Sequence, residues 1–465
     1  MKRPDYILSL TQRQHDELRL HLFPDAGHEA VAFILCGQRA GRDRYKLLAR
    51  EVHLIPYAQY SEKTDLRLTW STKLLPSLLE KAEKKNWAVI KIHSHPNGFP
   101  TFSELDNDAD QVLFPSIYGW TNNETPHASA IIFPDGSILC RHVDASGNFY
   151  PFWAIHVVGD NLVFWHGGEK KAIPEFGKRV AQTFGAGTFD KLKRLRVAIV
   201  GCSGTGSLVI EQLVRNCIGE LLLIDPDLVE EKNLNRIPNT TMQDAIEKRA
   251  KVDVLARSIK NLGFGTKVKT IEGTLYTPAT IRAVAACDVV FGCMDTIEGR
   301  HILNRLASFY LLPYFDLGVK LVSDGNGNVD EVTGAVHYLQ PGGSSLLSRK
   351  VYSLESLRAE SLFRTDPETY HAQRKEGYIR NIHEEKPAVI SVNMLVAAMA
   401  VNEFLARIHP FRSEPNANYA SQRFNLVNDL RYNECEREPC ESLSRHVGRG
   451  DVSPLLDLSM FGEGE

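Results

Sequence analysis

At 465 residues the chain is too long for one compact domain, and its 43% hydrophobic and 24% charged content suits two or three soluble domains with sizeable cores. A formal net charge of -3 carries no polyanion-binding signature, so composition gives no support to nucleic acid as a partner. The start, Met1-Lys2-Arg3-Pro4-Asp5, leads into a short apolar run and not into a signal-peptide core. The most apolar long segment, AVISVNMLVAAMAVNEFLARI from Ala388, carries Asn393, Asn402 and Glu403, which reads as a buried helix and not as a membrane span. Eight cysteines are scattered, with Cys36, Cys217 and Cys287 inside apolar stretches, as suits reduced thiols in a cytoplasm. The expectation is a cytoplasmic protein without a membrane partner.

Up to about Trp165 the elements are mixed. LTQRQHDELRLHLF has apolar residues at helical spacing with Thr11 as N-cap, and EAVAFILCG, from Glu29, is an apolar run ended by glycine that reads as a buried strand. STKLLPSLLEKAEKKNW is a second helix started by Ser71 or Thr72. AVIKIHSHP is a strand, and ASAIIFPDGSILCRHV a hairpin turned at Asp135-Gly136. These elements predict a mixed sheet flanked by helices over residues 1–165. Residues 166–193 are polar and glycine-containing, as a linker or approach segment is. RLRVAIVGCSGTGSLVIEQLVRN followed by ELLLIDPD is then a strand, a glycine loop, a helix and a strand. That βαβ unit opens a second domain, of Rossmann-like α/β type, over residues 194–465, ending in a polar tail after Arg412.

The densest chemistry lies in HSHPNGFPTFSELD, His93 to Asp106. A strand ending in His-x-His projects both imidazoles to one face, because side chains alternate. Asp106 falls past a loop, in the first turn of a helix that Ser103 caps. Two histidines and a carboxylate make three ligands, the catalytic arrangement for zinc, with the fourth position open to water whose pKa falls towards roughly 7.

His93, His95, Ser103 and Asp106 resemble, position for position, the JAMM motif of JAB/MPN-type metalloproteases, which include deubiquitinating isopeptidases. The resemblance covers roughly the first third of the chain. It implies a general base on an early strand upstream of a glycine, for which Glu29 is the match. The rival, Glu51 in LLAREVHLIP, lacks the following glycine. The resemblance also implies that Ser103 hydrogen-bonds the oxyanion of the tetrahedral intermediate.

In GCSGTGS, with Gly201, Gly204 and Gly206, backbone amides and a helix dipole face a phosphate. Ser203 stands where the dinucleotide fingerprint wants its second glycine, so NAD is not implied. The sequel LIDPDLVEEKNLNRIPN, then Lys251, then Asp295 in CDVVFGCMD, resembles the ubiquitin-activating superfamily with its bacterial ThiF and MoeB branches. Those enzymes adenylate the C-terminal glycine of a ubiquitin-fold protein with ATP and Mg²⁺. The resemblance implies that Asp225 holds the ribose, that Asn233, Arg236 and Lys251 contact phosphates, and that Asp295 binds magnesium. Arg236, Lys251 and Mg²⁺ would neutralise charge on the pyrophosphate leaving group. It also implies a homodimer through this domain, with Arg179 matching an arginine inserted into the partner subunit's nucleotide site.

Two departures stand out. In QPGGSSLLSRK, Ser345 and Ser348 occupy positions where family members carry zinc-binding cysteines. A thioester-forming cysteine, needed for passage to a conjugating enzyme, has only the late candidates Cys435 and Cys440 in NECEREPC. The chain is thus expected to be a bacterial fusion of a zinc isopeptidase with an adenylyltransferase, both acting on one ubiquitin-like protein. Alternatives are adenylation of a small molecule, peptide or tRNA beside a separate metalloprotease, and a scaffold with an inactive site.

Overall fold

The structure, a computed structural model, describes residues 3–24, 27–63, 68–169, 172–324, 326–375 and 388–462. The chain forms two compact units: Met1–Glu169 with Phe309–Leu311 and Val447–Leu458, and Lys170–Ser308 with Leu312–His446 and Ser459–Glu465.

In chain order the first unit runs β1 (Asp5–Thr11), α1 (Gln12–Leu22), β2 (Val31–Arg39), β3 (Arg44–Leu54), the ribbon β4 (Tyr60–Lys63) and β5 (Leu68–Trp70), α2 (Leu75–Lys85), β6 (Ala88–Ser94) and α3 (Glu104–Thr121). It continues through β7 (His127–Ile132), β8 (Ile138–Val143), β9 (Phe149–Pro151), β10 (Ala154–Val158) and β11 (Leu162–His166). Nine strands form one mixed sheet, ordered β11-β10-β1-β3-β2-β6-β7-β8-β9. Alternation along β2 decides what covers each face. Ala32, Ile34 and Cys36 join Ile90, Ile92 and the α1 residues Leu18 and Leu22 in one core. Val31, Phe33 and Leu35 join Val89, Leu79 of α2 and Phe114 and Ile117 of α3 in the other. His93 shares the odd-numbered face of β6 with Val89, which is why α3 is the element that meets it.

Local signals hold where they are short-range. Thr11 caps α1 and Ser103 caps α3, each with a reciprocal capping box. The hairpin between β7 and β8 turns at Gly136, with φ +84°. Ser71 caps a single 3₁₀ turn ahead of α2.

Three boundaries differ from the sequence reading. First, β2 begins at Val31 and runs through Gly37, which is not a terminator. A side-chain carbon on Gly37 would lie 2.2 Å from the Gly448 carbonyl oxygen, so glycine here admits a returning segment. Second, that segment, Val447–Leu458, belongs to the first unit and not to the polar tail of the second. Gly450 bridges Gln38 in parallel, the Asp451 amide donates to the Gln38 carbonyl at 2.7 Å, and Leu455 and Leu456 are buried. Third, much of the expected linker is helix α4 (Lys178–Arg194), bent at Gly185.

The second unit continues with β12 (Arg196–Val200), α5 (Gly204–Arg215), β13 (Glu220–Asp225), α6 (Met242–Ile246), α7 (Lys251–Leu262), β14 (Lys267–Glu272), α8 (Pro278–Ala285), β15 (Val289–Gly292) and α9 (Ile297–Tyr310). Then come β16 (Tyr314–Ser323), β17 (Val329–Leu339), α10 (Leu354–Thr365), α11 (Pro367–Lys375), α12 (Ile390–Ile408), β18 (Ser421–Asn425), β19 (Leu430–Glu434) and α13 (Glu441–Ser444). Its sheet is ordered β14-β13-β12-β15-β16-β17-β18-β19, parallel from β14 to β16 and antiparallel beyond. The chain steps outward from β12 to β14 and then returns to β15 on the other side of β12. That reversal makes the carboxyl ends of β12 and β15 the switch point where ligands bind. The apolar segment noted above is α12; by length and composition it is long enough to cross a membrane, but 67% of its most apolar window is buried.

Candidate functional site

In the first unit β6 delivers His93, and His95 follows one residue beyond its end. Their Nε2 atoms lie 3.1 Å apart. Asp106, placed by the Ser103 cap, sets Oδ1 2.9 Å from His93 Nε2 and Oδ2 3.4 Å from His95 Nε2. Among the described residues, these three are the one group of histidine, cysteine or acidic donors close enough to share an ion. Four tetrahedral ligands at zinc–ligand distances near 2.0–2.1 Å are themselves about 3.3 Å apart, so the donor spacing fits zinc. Burial fits as well, and so does the second shell at one of the two histidines, while His93 Nδ1 is buried without a partner among the described residues. Both imidazoles are buried, and His95 Nδ1 hydrogen-bonds the Phe99 carbonyl at 2.9 Å, which fixes the ring and leaves Nε2 as the ligand atom.

The electrostatics agree with a cation at this point. Burial lowers the pKa of His93 against its bond to Asp106, so it is held neutral. On His95 burial acts the same way, but bonds to Asp106 and the Phe99 carbonyl outweigh it and raise the pKa. Burial works against the Asp106 carboxylate too, yet hydrogen bonds from both imidazoles and the Ser103 amide hold its pKa well below the usual range.

Glu29 stands two residues before Val31, whose register partner is His93. Its carboxyl is pushed up to about 7, chiefly by burial, with opposing pulls from His95 and Lys91 and a push from Asp106. Glu51 is elsewhere: it pairs with Leu35, four residues further along β2, roughly 13 Å away. Its carboxylate is taken by Lys81 at 2.6 Å and His53 at 3.1 Å. Ser103 Oγ donates to Asp106 Oδ2 at 2.8 Å and accepts from the Asp106 amide at 3.1 Å, so in this geometry the hydroxyl serves the ligand.

Several supports went unread in the sequence. Ser94 accepts from the Ala30 amide at 3.0 Å. Below the histidines, Asp110 of α3 is held by Lys91 and by Arg141 at 2.6 Å. The Arg141 guanidinium is also stacked between Phe102 and Phe149, 3.6 and 3.7 Å from their ring centres. Lys91 lies at i−2 from His93, so strand alternation alone placed it on this face.

In the second unit the glycine loop sits at the switch point. Gly201 has φ +91°, and a side-chain carbon there would lie 2.8 Å from the Cys293 backbone; one on Gly206 would fall 1.8 Å from the Gly201 carbonyl oxygen. Ser203 is tolerated because its φ is -88°, needing no glycine. Asp225 ends β13 and accepts from the Cys202 amide at 2.6 Å and the Asp227 amide at 2.9 Å; burial raises its pKa. Lys251, buried at the start of α7, reaches Asp227 at 2.7 Å. Arg236 lays its aliphatic carbons over Gly204 and bonds the Lys232 carbonyl at 2.6 Å. Asn233 caps the turn before it through the Glu230 amide at 3.1 Å. Asp295 is exposed in the loop after β15, where its field is felt by Arg300. The structure thus gathers these expected residues along the carboxyl ends of β12, β13 and β15.

The sequence profile of the ThiF family matches residues 177–443, more than half of the chain. The chain belongs to the ThiF family. Ahead of the ThiF region, residues 11–138 match prokaryotic homologs of the JAB domain. Curated relatives of this ThiF-family chain include the ubiquitin-like modifier-activating enzyme 5 of Culex quinquefasciatus, 27% identical over 166 residues that cover 33% of this chain and 39% of that protein. The enzyme of the same name from Drosophila persimilis is 28% identical over 169 residues, covering 34% and 41%. The chain therefore spans about two fifths of the length of these relatives. Similar solved structures include E. coli MccB with MccA-N7isoASN, at 20% identity and TM-score 0.46 over 58% of this chain and 75% of that one. PaaA is similar at 18% identity and TM-score 0.40, over 58% and 86%.

The late cysteines of the ThiF region differ in exposure. Cys435 is exposed, its Sγ 3.6 Å from Asn418 Oδ1. Cys440 is buried beside Ser442, 3.2 Å away. Burial pushes its thiol up, but bonds from Ser345 and Ser442 outweigh that and lower its pKa. Ser345 and Ser348 satisfy each other, amide to hydroxyl, at 2.8 and 3.0 Å. Arg179, on α4, contacts Gln182 at 3.3 Å.

Proposed function

We propose that the chain is a bifunctional enzyme acting on one ubiquitin-like protein, with a JAMM centre that hydrolyses the bond after its C-terminal glycine and a ThiF unit that adenylates the exposed carboxylate with ATP and Mg²⁺. The observation that carries this reading is the convergence of His93, His95 and Asp106 in a chain whose residues 177–443 are ThiF, since hydrolysis and adenylation can both address one C-terminal tail.

His93 Nε2, His95 Nε2 and Asp106 would hold the zinc, and zinc bound there supplies Lewis acidity and acidifies water. Ser103 and the Phe99 carbonyl orient two of the ligands. Glu29 takes a proton from water and returns it to the leaving amine, and burial raises the pKa of its carboxyl, which favours its holding that proton between the two transfers. In the second unit, Gly201, Gly204 and Gly206 leave room for phosphates at the N-terminus of α5. Asp225 is rigid enough to accept from ribose hydroxyls, because two backbone amides already fix its carboxylate. Arg236 and Lys251 offset charge on departing pyrophosphate, and Asp295 is the magnesium ligand. A homodimer through the ThiF unit, with Arg179 reaching the partner, belongs to the same reading.

The test is mass spectrometry of ubiquitin-like proteins incubated with the enzyme, with and without ATP. Loss of residues after the terminal glycine, and an ATP-dependent adenylate or its product, are the expected results. If no ubiquitin-like protein changes while a peptide or small molecule is adenylated, the shared-substrate reading fails.

A further inference from the structure

Asn393 lies in the first turn of α12 and is 4% exposed. A side-chain carbon added to Gly204 would stand 2.5 Å from Asn393 Nδ2, and 3.2 and 3.4 Å from Arg236 Cδ and Cγ. A carboxamide and an arginine therefore flank the first residue of α5, from opposite ends of the ThiF sequence. Buried side-chain amides find partners almost without exception, because unpaired donors are costly away from water. Among the described residues the Asn393 side chain makes no hydrogen bond, so its carboxamide is available to a ligand. An amide nitrogen is purely a donor, and the first backbone N–H groups of α5, which starts at Gly204, have no partner within the helix. Helix amides, a guanidinium and a carboxamide nitrogen share one complementary ligand atom, an anionic oxygen.

The geometry points to Asn393 as a phosphate-binding residue of the second unit, its carboxamide donating to an anionic oxygen of the bound nucleotide beside Gly204 and Arg236. The inference rests on the reading that a nucleotide occupies the glycine loop, and it adds a contact from a helix near the end of the chain. Because α12 packs along α5, the helix pair is gripped by one phosphate.

The test is calorimetric titration of the full chain with ATP and, separately, with adenosine. Asn393→Ala should weaken ATP by about 10- to 100-fold, the range for a hydrogen bond to a charged group, and leave adenosine unchanged. Asn393→Asp should weaken ATP further, with a loss that shrinks in high salt, because a carboxylate then faces the phosphate. ATP affinity equal to wild type in Asn393→Ala, or equal losses for ATP and adenosine in a folded variant, overturns the assignment. Asp225→Asn keeps the two readings separate, since it should weaken both ligands; a wild-type chain that binds neither ATP nor adenosine fails the nucleotide reading itself. Should Asn393→Ala lose its thermal transition, Asn393→Ser replaces it and the same ratio of ATP to adenosine affinity decides.

Discussion

Ser94 Oγ accepts a hydrogen bond from the Ala30 amide at 3.0 Å, while the Ser94 amide donates to the Ala30 carbonyl at 3.1 Å. The residue between the two histidines is thereby fastened to the residue after Glu29. Both are fully buried, so this pair of bonds ties the ligand strand to the segment that carries the base.

Ser94→Ala should separate those two functions. The backbone bond survives, but the Ala30 N–H loses its partner in a buried place, a cost of about 1–3 kcal/mol that slackens the segment carrying Glu29. Zinc content by atomic absorption should stay at wild-type level while the cleavage rate falls by roughly tenfold or more. Ser94→Thr, which keeps the hydroxyl, should recover part of the rate. A Ser94→Ala enzyme that cleaves within twofold of wild type would release Ser94 from this role.

His95→Ala removes a ligand atom that lies 3.1 Å from one remaining donor and 3.4 Å from the other. Purified wild type should carry about one tightly bound zinc per chain and the variant none, with hydrolysis lost as well. Cleavage of a ubiquitin-like fusion by the metal-free variant would mean that the ligands have been misassigned.

Glu29→Gln should keep zinc and lose cleavage by about 100- to 10,000-fold, because an amide cannot take the proton. The pH profile carries the sign. Burial raises the Glu29 pKa to about 7, and a general base works deprotonated, so the rate should climb as pH rises through that range. A dication beside the carboxylate favours its charged form and moves the midpoint below 7 in the zinc-loaded enzyme. An acid limb that persists unchanged in Glu29→Gln would transfer the proton chemistry to another group.

What was legible in the sequence follows the range of the interactions. His93, His95 and Asp106 lie on one strand, one loop and one capped turn, so alternation and capping suffice to bring them together. Glu29 reached the site by resemblance alone. Its structural tie is the register of β2 against β6, and a cross-strand register leaves no local pattern around Glu29. Residues 447–458 read as part of a polar tail because Gly448 and Gly450 carry no hydrophobic signal. Their role is close backbone approach to β2 and β3, visible only where a side-chain carbon would strike Ala49 or Gln38. Asn393 is legible as a polar residue in an apolar helix, which argues against a membrane span, but nothing local places Gly204 beside it.

The adenylation chemistry has its own signature in exchange of labelled pyrophosphate into ATP. If the ThiF unit activates a C-terminal carboxylate, exchange should require the right ubiquitin-like partner, because pyrophosphate leaves only when a carboxylate attacks. Asp295→Ala should abolish exchange by removing the magnesium ligand. Arg236→Ala should weaken it, since charge on the leaving group goes uncompensated and an interaction with a charged group is worth about 1.5–3 kcal/mol. His95→Ala should leave exchange intact, since the two sites use different metals and different residues. A following linkage to the partner that reducing agent cleaves would assign the thioester to Cys435 or Cys440, and serine at each position decides between them. Exposure favours Cys435 as an acceptor, whereas Cys440 is buried against Ser442 and Ser345. Exchange without such a linkage would direct the adenylate to another protein or to a sulfur donor. Exchange that runs equally well with no protein partner would remove the ubiquitin-like substrate and leave a small molecule in its place.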